Sequence, residues 1–246
     1  MTRNTNKNII IGIIPARYKS TRLPGKPLLN ISGKPMIQWV YENVSKSKYL
    51  NKVIVATDDK RIYDCVKKFG GNVMMTSSKH KSGTDRICEV IKKIKADIVV
   101  NIQGDEPFID YKNIDRAIEP FIKSKELNVS TLAIKIRNKS EITDSNKVKV
   151  VFDKNGNALY FSRSTIPFDR DNIKTDYYKH IGLYVYRVSF LKKYMNMKQT
   201  KLEKSEKLEQ LRILENGEKI KVLLTAKDSF SIDTKEDYKK YKDYKG

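Results

Sequence analysis

IIIGIIPARYKSTRLPGKPL, residues 9–28, decides the fold. Residues 9–14 are apolar apart from Gly12 and read as a buried strand. The chain then enters a loop that carries Arg17, Lys19, Arg22 and Lys26 among Pro15, Pro24, Gly25 and Pro27. No Asp or Glu precedes Glu42. A strand that feeds a basic loop punctuated by Gly and Pro presents backbone N–H groups and cations to a polyphosphate. The ordinary alternative is a solvated connection, which has no use for so many fixed prolines. A disordered tail would not follow a buried strand.

Outward from this stretch, apolar runs alternate with helical patterns. Residues 35–46 read as a helix, 52–57 (KVIVAT) as a strand, 60–69 as a helix, 72–76 as a short strand, 83–95 as a helix and 97–102 (DIVVNI) as a fully apolar strand. Such alternation implies βαβ crossovers and an α/β fold with a mixed, mostly parallel sheet. Ligands of these sheets bind beyond the carboxyl ends of the strands. Three polar clusters stand there: the basic loop, Thr57-Asp58-Asp59, and Gln103-Gly104-Asp105-Glu106. The pattern then turns β-rich. Strands at 147–152 and 158–162 are joined through Asn155-Gly156, a hairpin signal, and another strand covers 179–187. A helix over 203–215, a strand over 219–224 and a helix from Lys235 complete the reading. One domain spans 1–246, with 147–190 as a β-rich elaboration.

The 246 residues can bury a sizeable core. Two cysteines in different expected helices exclude a disulfide scaffold, and two histidines exclude a multi-histidine metal centre. No apolar stretch approaches a membrane span, and MTRNTNKN lacks the apolar core of a secretion signal, so the cytoplasm is the expected location. The net charge of +21 raises nucleic acid as a partner. Most lysines, however, alternate with acids, as in KLEKSEKLEQLR at 201–212, and no nucleic-acid motif is present. The expectation is an anionic small-molecule substrate, with no nucleic acid and no membrane.

Asp105 directly follows the apolar strand, where a carboxylate can hold Mg²⁺ beside a phosphate. A helix N-cap is its alternative, weakened by Pro107 and by the distance to a helix near Lys112. Asp233, in SIDTKED, serves equally well as a cap or as a metal ligand. Ser82-Gly83-Thr84-Asp85-Arg86 opens a helix and could read a base or ribose, although a capping box alone would explain it. His180 and Tyr184 share one strand face, and Glu209 and Gln210 lie on an expected helix. Residue types alone give these four no more than ordinary structural roles.

The segments at 13–28, SGTDR (82–86), NIQGDEP (101–107), KVVFDKNGNALYFSRSTIPFDRD (149–171), HIGLYVYR (180–187), LEQLR (208–212) and SIDT (231–234) together resemble the bacterial cytidylyltransferases for 3-deoxy-manno-octulosonate (Kdo). The resemblance implies a nucleotide-diphospho-sugar transferase fold, a homodimer, and conversion of CTP and Kdo to CMP-Kdo and pyrophosphate with Mg²⁺, in lipopolysaccharide biosynthesis. It implies Arg17, Arg22 and Lys26 on the triphosphate, and Ser82, Gly83 and Thr84 near the cytidine. Asp105 and Asp233 become metal ligands. Gln103, Arg163, His180, Tyr184, Glu209 and Gln210 line the sugar pocket. A cytidylyltransferase for another acidic sugar, such as an 8-amino Kdo analogue or a sialic acid, remains an alternative, as does a basic nucleic-acid-binding protein.

Overall fold

The computed structural model describes residues 8–19, 23–80 and 82–244. The chain forms β1 (Ile10–Ala16), a 3-10 turn (Lys26–Leu28), the two-residue strands β2 (Asn30–Ile31) and β3 (Lys34–Pro35), and α1 (Met36–Val44). Next come β4 (Lys52–Thr57), α2 (Lys60–Lys68), β5 (Val73–Met75), α3 (Gly83–Ile91), β6 (Ile98–Asn101) and α4 (Tyr111–Lys123). The second half holds β7 (Val129–Lys135), α5 (Ser140–Thr143), β8 (Lys149–Phe152), β9 (Ala158–Ser162), β10 (Tyr178–Arg187) and α6 (Val188–Tyr194). It ends with α7 (Lys201–Glu206), α8 (Leu211–Glu215), β11 (Lys221–Leu224) and α9 (Lys235–Tyr241).

The main sheet runs β11-β7-β10-β6-β1-β4-β5, with β8 and β9 attached at β10. β1, β4, β5 and β6 are parallel, as the alternation required. β10 runs antiparallel between β6 and β7. Side chains of β1 alternate between two cores. Ile11 and Ile13 face α3 and α6, whereas Ile10 and Ile14 face α1 and α4. Full burial of each such isoleucine contributes about 1.5–3 kcal/mol. A third cluster joins Leu23, Ile31, Met36 and Ile232, so the C-terminal segment packs on the basic loop.

From β1 the chain first builds outward to β4 and β5, then crosses back to add β6 on the other side of β1. The crevice at the carboxyl ends of β1 and β6 is therefore the topological switch point, where open α/β sheets hold ligands.

Candidate active site

A cavity of about 680 Å³ opens at that switch point. Its first side is cationic. Gly25 sits at φ 70°, ψ 13°, a left-handed conformation that glycine adopts at no steric cost, and caps the 3-10 turn. The turn aims Lys26 inward. Its Nζ donates to Asp105 Oδ2 at 2.6 Å and to Asp233 Oδ1 at 3.1 Å. Burial alone would pull this ammonium down. The charges of Asp105 and Asp233, and the hydrogen bonds to both, outweigh burial and raise it above the usual lysine value. Arg17 and Lys19 line the same side. Arg22 lies outside the described residues.

Neither carboxylate is a helix cap. Asp110 caps α4, and Thr234 caps α9 in a capping box with Asp237. The Ile232 N–H donates to the Asp105 carbonyl at 2.9 Å, and the Ser231 hydroxyl to Asp233 Oδ2 at 3.0 Å. These bonds hold the two acids, from opposite halves of the chain, against one ammonium. A Cβ on Gly104 would lie 2.9 Å from the Pro15 carbonyl oxygen, so only glycine lets the loop after β6 close onto the end of β1. The cluster at Thr57–Asp59 does not reach the cavity. Asp59 caps α2, and Asp58 pairs at 3.2 Å with the fully buried Arg86.

The start of α3 forms the second side. Ser82 and Asp85 make the capping box anticipated from the sequence, which turns Ser82 Oγ toward the helix. Gly83 and Thr84, rather than Ser82, line the cavity. Thr84 Oγ1 donates to Glu209 Oε2 at 2.9 Å. Protein packed around its carboxyl raises Glu209 against the opposing pull of that bond, although the residue as a whole is exposed.

The third side is polar but mostly uncharged. Gln103 Nε2 donates to the Gly182 carbonyl at 3.0 Å. The Thr131 hydroxyl lies 2.8 Å from the Leu183 carbonyl and 3.0 Å from His180 Nε2. Its single proton goes to the carbonyl, so Nε2 carries the imidazole hydrogen and Nδ1 is left as an acceptor. Burial lowers His180 to about 3, which keeps the ring neutral at pH 7. His180 packs between Phe161 and Tyr184, with ring centroids 5.1 and 5.3 Å away. Asn101 and Tyr184 are opposed across β6 and β10. Asn101 Oδ1 and the Tyr184 hydroxyl are buried without a hydrogen-bond partner among the described residues. Two such atoms on a cavity wall call for a hydroxylated occupant or water. Asn101 was missed at the sequence level because DIVVNI reads as apolar. Asn101 itself, two positions before Gln103 in the strand's alternation, was the signal.

Two expectations need correction. The helix over 203–215 is broken into α7 and α8 by Lys207, at φ 55°, ψ 45°. Glu209 and Gln210 lie in this break and face the cavity, which a continuous helix would not have allowed. Arg163 does not line the cavity. Its Nε donates to the Glu206 carbonyl at 2.8 Å and its Nη1 to the Ser145 carbonyl at 3.1 Å. Its backbone N–H and the Ser162 hydroxyl both bond the Glu206 carboxylate, at 3.0 and 2.7 Å. The buried Lys149 ammonium holds the Arg163 carbonyl at 2.7 Å. The guanidinium is thus committed to carbonyls, and it ties the end of β9 to the wall formed by 207–210.

A family model described as Cytidylyltransferase matches residues 11–220. The 3-deoxy-manno-octulosonate cytidylyltransferase of Fusobacterium nucleatum subsp. nucleatum is 52% identical over 235 residues, covering 95% of this chain and 96% of its own. That of Thermodesulfovibrio yellowstonii is 51% identical over 243 residues, with 93% and 95% covered. A solved structure of CMP:2-keto-3-deoxy-manno-octonic acid synthetase complexed with CTP superposes with a TM-score of 0.92 at 43% identity, over 94% of this chain and 96% of that one. The 4-diphosphocytidyl-2C-methyl-D-erythritol synthase of Anaerococcus prevotii, 18% identical with a TM-score of 0.62 over 96% of this chain and 98% of that one, shares the fold.

Proposed function

The chain belongs to the 3-deoxy-manno-octulosonate cytidylyltransferases, and we propose that it transfers CMP from CTP to Kdo at the switch-point cavity, releasing pyrophosphate and activating Kdo for lipopolysaccharide synthesis. One observation carries the assignment to this site. The cavity sets a cationic loop and Asp105, joined through Lys26 to Asp233 beside it, opposite a wall of mostly neutral hydrogen-bonding groups. That division suits a substrate pair with a triphosphate at one end and a polyhydroxylated acid at the other.

The anomeric hydroxyl oxygen of the sugar attacks the α-phosphorus of CTP and gives up its proton to solvent, while the bond from that phosphorus to the β-phosphate oxygen breaks in line and pyrophosphate leaves. No protein nucleophile is required. Arg17 and Lys26 offset the charge that builds on the departing pyrophosphate. Gly83 and Thr84 adjoin the cytidine. Gln103, His180, Tyr184, Glu209 and Gln210 orient the sugar. The neutral His180 accepts a hydrogen bond at Nδ1, and Asn101 with Tyr184 supplies partners to sugar hydroxyls. Arg163 supports that wall through Glu206.

Among the described residues, no three His, Cys, Asp or Glu side chains cluster as a metal cage. Asp105 and Asp233 nevertheless fit Mg²⁺, which takes one or two carboxylates and completes its shell with substrate phosphates and water. Bound there, Mg²⁺ would offset phosphate charge and favour loss of the hydroxyl proton. The protein acts as a homodimer, and Leu159, Phe168 and Ile173, at 62%, 85% and 77% exposure on the β-rich elaboration, supply apolar surface for it. No helix among the described residues is long and apolar enough to cross a membrane. The cytoplasm is the compartment that supplies CTP.

The test is pyrophosphate release across a panel of four nucleoside triphosphates with Kdo, 8-amino-Kdo and a sialic acid. Turnover requires CTP, Kdo and Mg²⁺ together, and a chelator stops it. Preference for another acidic sugar would reassign the substrate. Chelator-resistant turnover would remove Mg²⁺ from the scheme.

A further inference from the structure

Two carboxylates aimed at one point repel each other unless a cation stands between them. Here the chain supplies that cation. Lys26 Nζ contacts both Asp105 and Asp233, and the three side chains are only 14%, 25% and 28% exposed. A divalent ion bound to the same Asp105 oxygen would sit about 2.1 Å from it. The ammonium lies 2.6 Å from that oxygen. Two cations sharing it would be at most about 5 Å apart, and their repulsion opposes joint occupancy.

We propose that Lys26 is the resident counter-ion of the divalent-metal site: it fills the carboxylate pair while nucleotide is absent and moves onto the phosphates when nucleotide arrives, so that metal and nucleotide load together. The lysine stem is four methylenes long and rotates freely, so the same ammonium reaches either set of oxygens from one backbone position. Arg17 and Lys19 line the same side of the cavity and add to the field that draws a triphosphate in. Its arrival supplies the anionic oxygens that take Lys26 and, at the same moment, the extra ligands that Mg²⁺ needs. Metal affinity is therefore low until substrate is present.

This inference rests on the reading of Asp105 and Asp233 as metal ligands, and the experiment separates the two. Mn²⁺, which gives a paramagnetic resonance signal when free, is titrated into protein without nucleotide. Wild type binds it weakly. Lys26→Gln, and independently Lys26→Met, bind it about tenfold tighter or more, because one positive charge has left the pocket. Adding Asp105→Asn to either variant abolishes the gain. Thermal melts confirm that each variant is folded, and two replacements guard against failure of one. If neither Lys26 variant binds Mn²⁺ more tightly, while wild type still takes up Mn²⁺ with CTP in an Asp105-dependent way, the counter-ion role is wrong and the metal site stands. If Mn²⁺ uptake with CTP ignores Asp105→Asn, the metal lies elsewhere and both ideas fall.

Discussion

The two ends of the cavity are built on different physical terms. At the phosphate end, full charges converge: Lys26 meets Asp105 and Asp233 at 2.6 and 3.1 Å, with Arg17 and Lys19 alongside. At the other end, neutral hydrogen-bonding groups such as Asn101, His180 and Tyr184 form the inner wall, while Lys207 and Glu209 stand exposed at its rim. His180 is held deprotonated and Tyr184 is pushed well above its usual range by burial. The one arginine expected there spends its guanidinium on backbone carbonyls. In the proposed scheme, charge at one end answers a charged leaving group, whereas hydrogen-bonding groups at the other answer hydroxyls. A mutation should therefore fail in a manner that reveals its end of the cavity.

The sharpest separation comes from Asp105→Asn. It preserves size, removes a charge at the reacting phosphates and leaves Lys26 short of a partner. Turnover should fall by a factor on the order of 10²–10³, the usual cost of losing one transition-state electrostatic contact. Steady-state pyrophosphate release measures it. A loss smaller than tenfold would show that the charged end is not where the chemistry is decided.

The second probe is acid. His180 titrates near 3 when folded, against about 6.5 when unfolded, so the unfolded chain takes up this proton first. The stability tied to the neutral ring is complete above pH 6.5 and is lost as pH falls from there toward 3. By pH 4 the loss is roughly 3 kcal/mol. Denaturant melts of wild type and His180→Asn at pH 7 and pH 4 isolate it, since the variant should lack this part of the acid sensitivity. Equal acid losses in the two proteins would mean that the imidazole is hydrated and chargeable, and the contrast between the ends would weaken.

The smallest expected effect sits at Arg163. Arg163→Lys cannot rebuild the bonds to both the Glu206 and Ser145 carbonyls, so the Michaelis constant for Kdo should rise about tenfold, with that for CTP within about twofold. Glu206→Gln should act in the same direction, and the double variant should cost less than the sum, because both residues serve one latch. A rise with Arg163→Lys but none with Glu206→Gln would place the guanidinium on the sugar itself.

The charged end was the more legible in the sequence. Its strands are apolar runs, its loop is an acid-free basic stretch, and its acids stand at strand ends. Reading alone could not settle Asp233, because a cap and a ligand use the same residue type. The structure shows Thr234 in the cap position. The sugar end was harder for identifiable reasons. β7 was overlooked because Ser130 and Thr131 interrupt its apolar pattern, yet both are fully buried and hydrogen-bonded. The α7–α8 break depends on one lysine in a left-handed conformation, which no local pattern announces. Without that break, Glu209 and Gln210 read as a solvated helix face.

The bond from Ile232 N–H to the Asp105 carbonyl has a consequence in time. Lys26 leaves the ribosome long before Asp233, which lies 207 residues further along the chain. Until the segment carrying Ile232 and Asp233 docks, the lysine and Asp105 lack their third member, and the early-made loop lacks Ile232 in the cluster that anchors it. A growing chain can thus pair β1, β4, β5 and β6 before it owns a working centre. Synthesis itself postpones activity, so a partly made enzyme has no finished site at which to consume nucleotide.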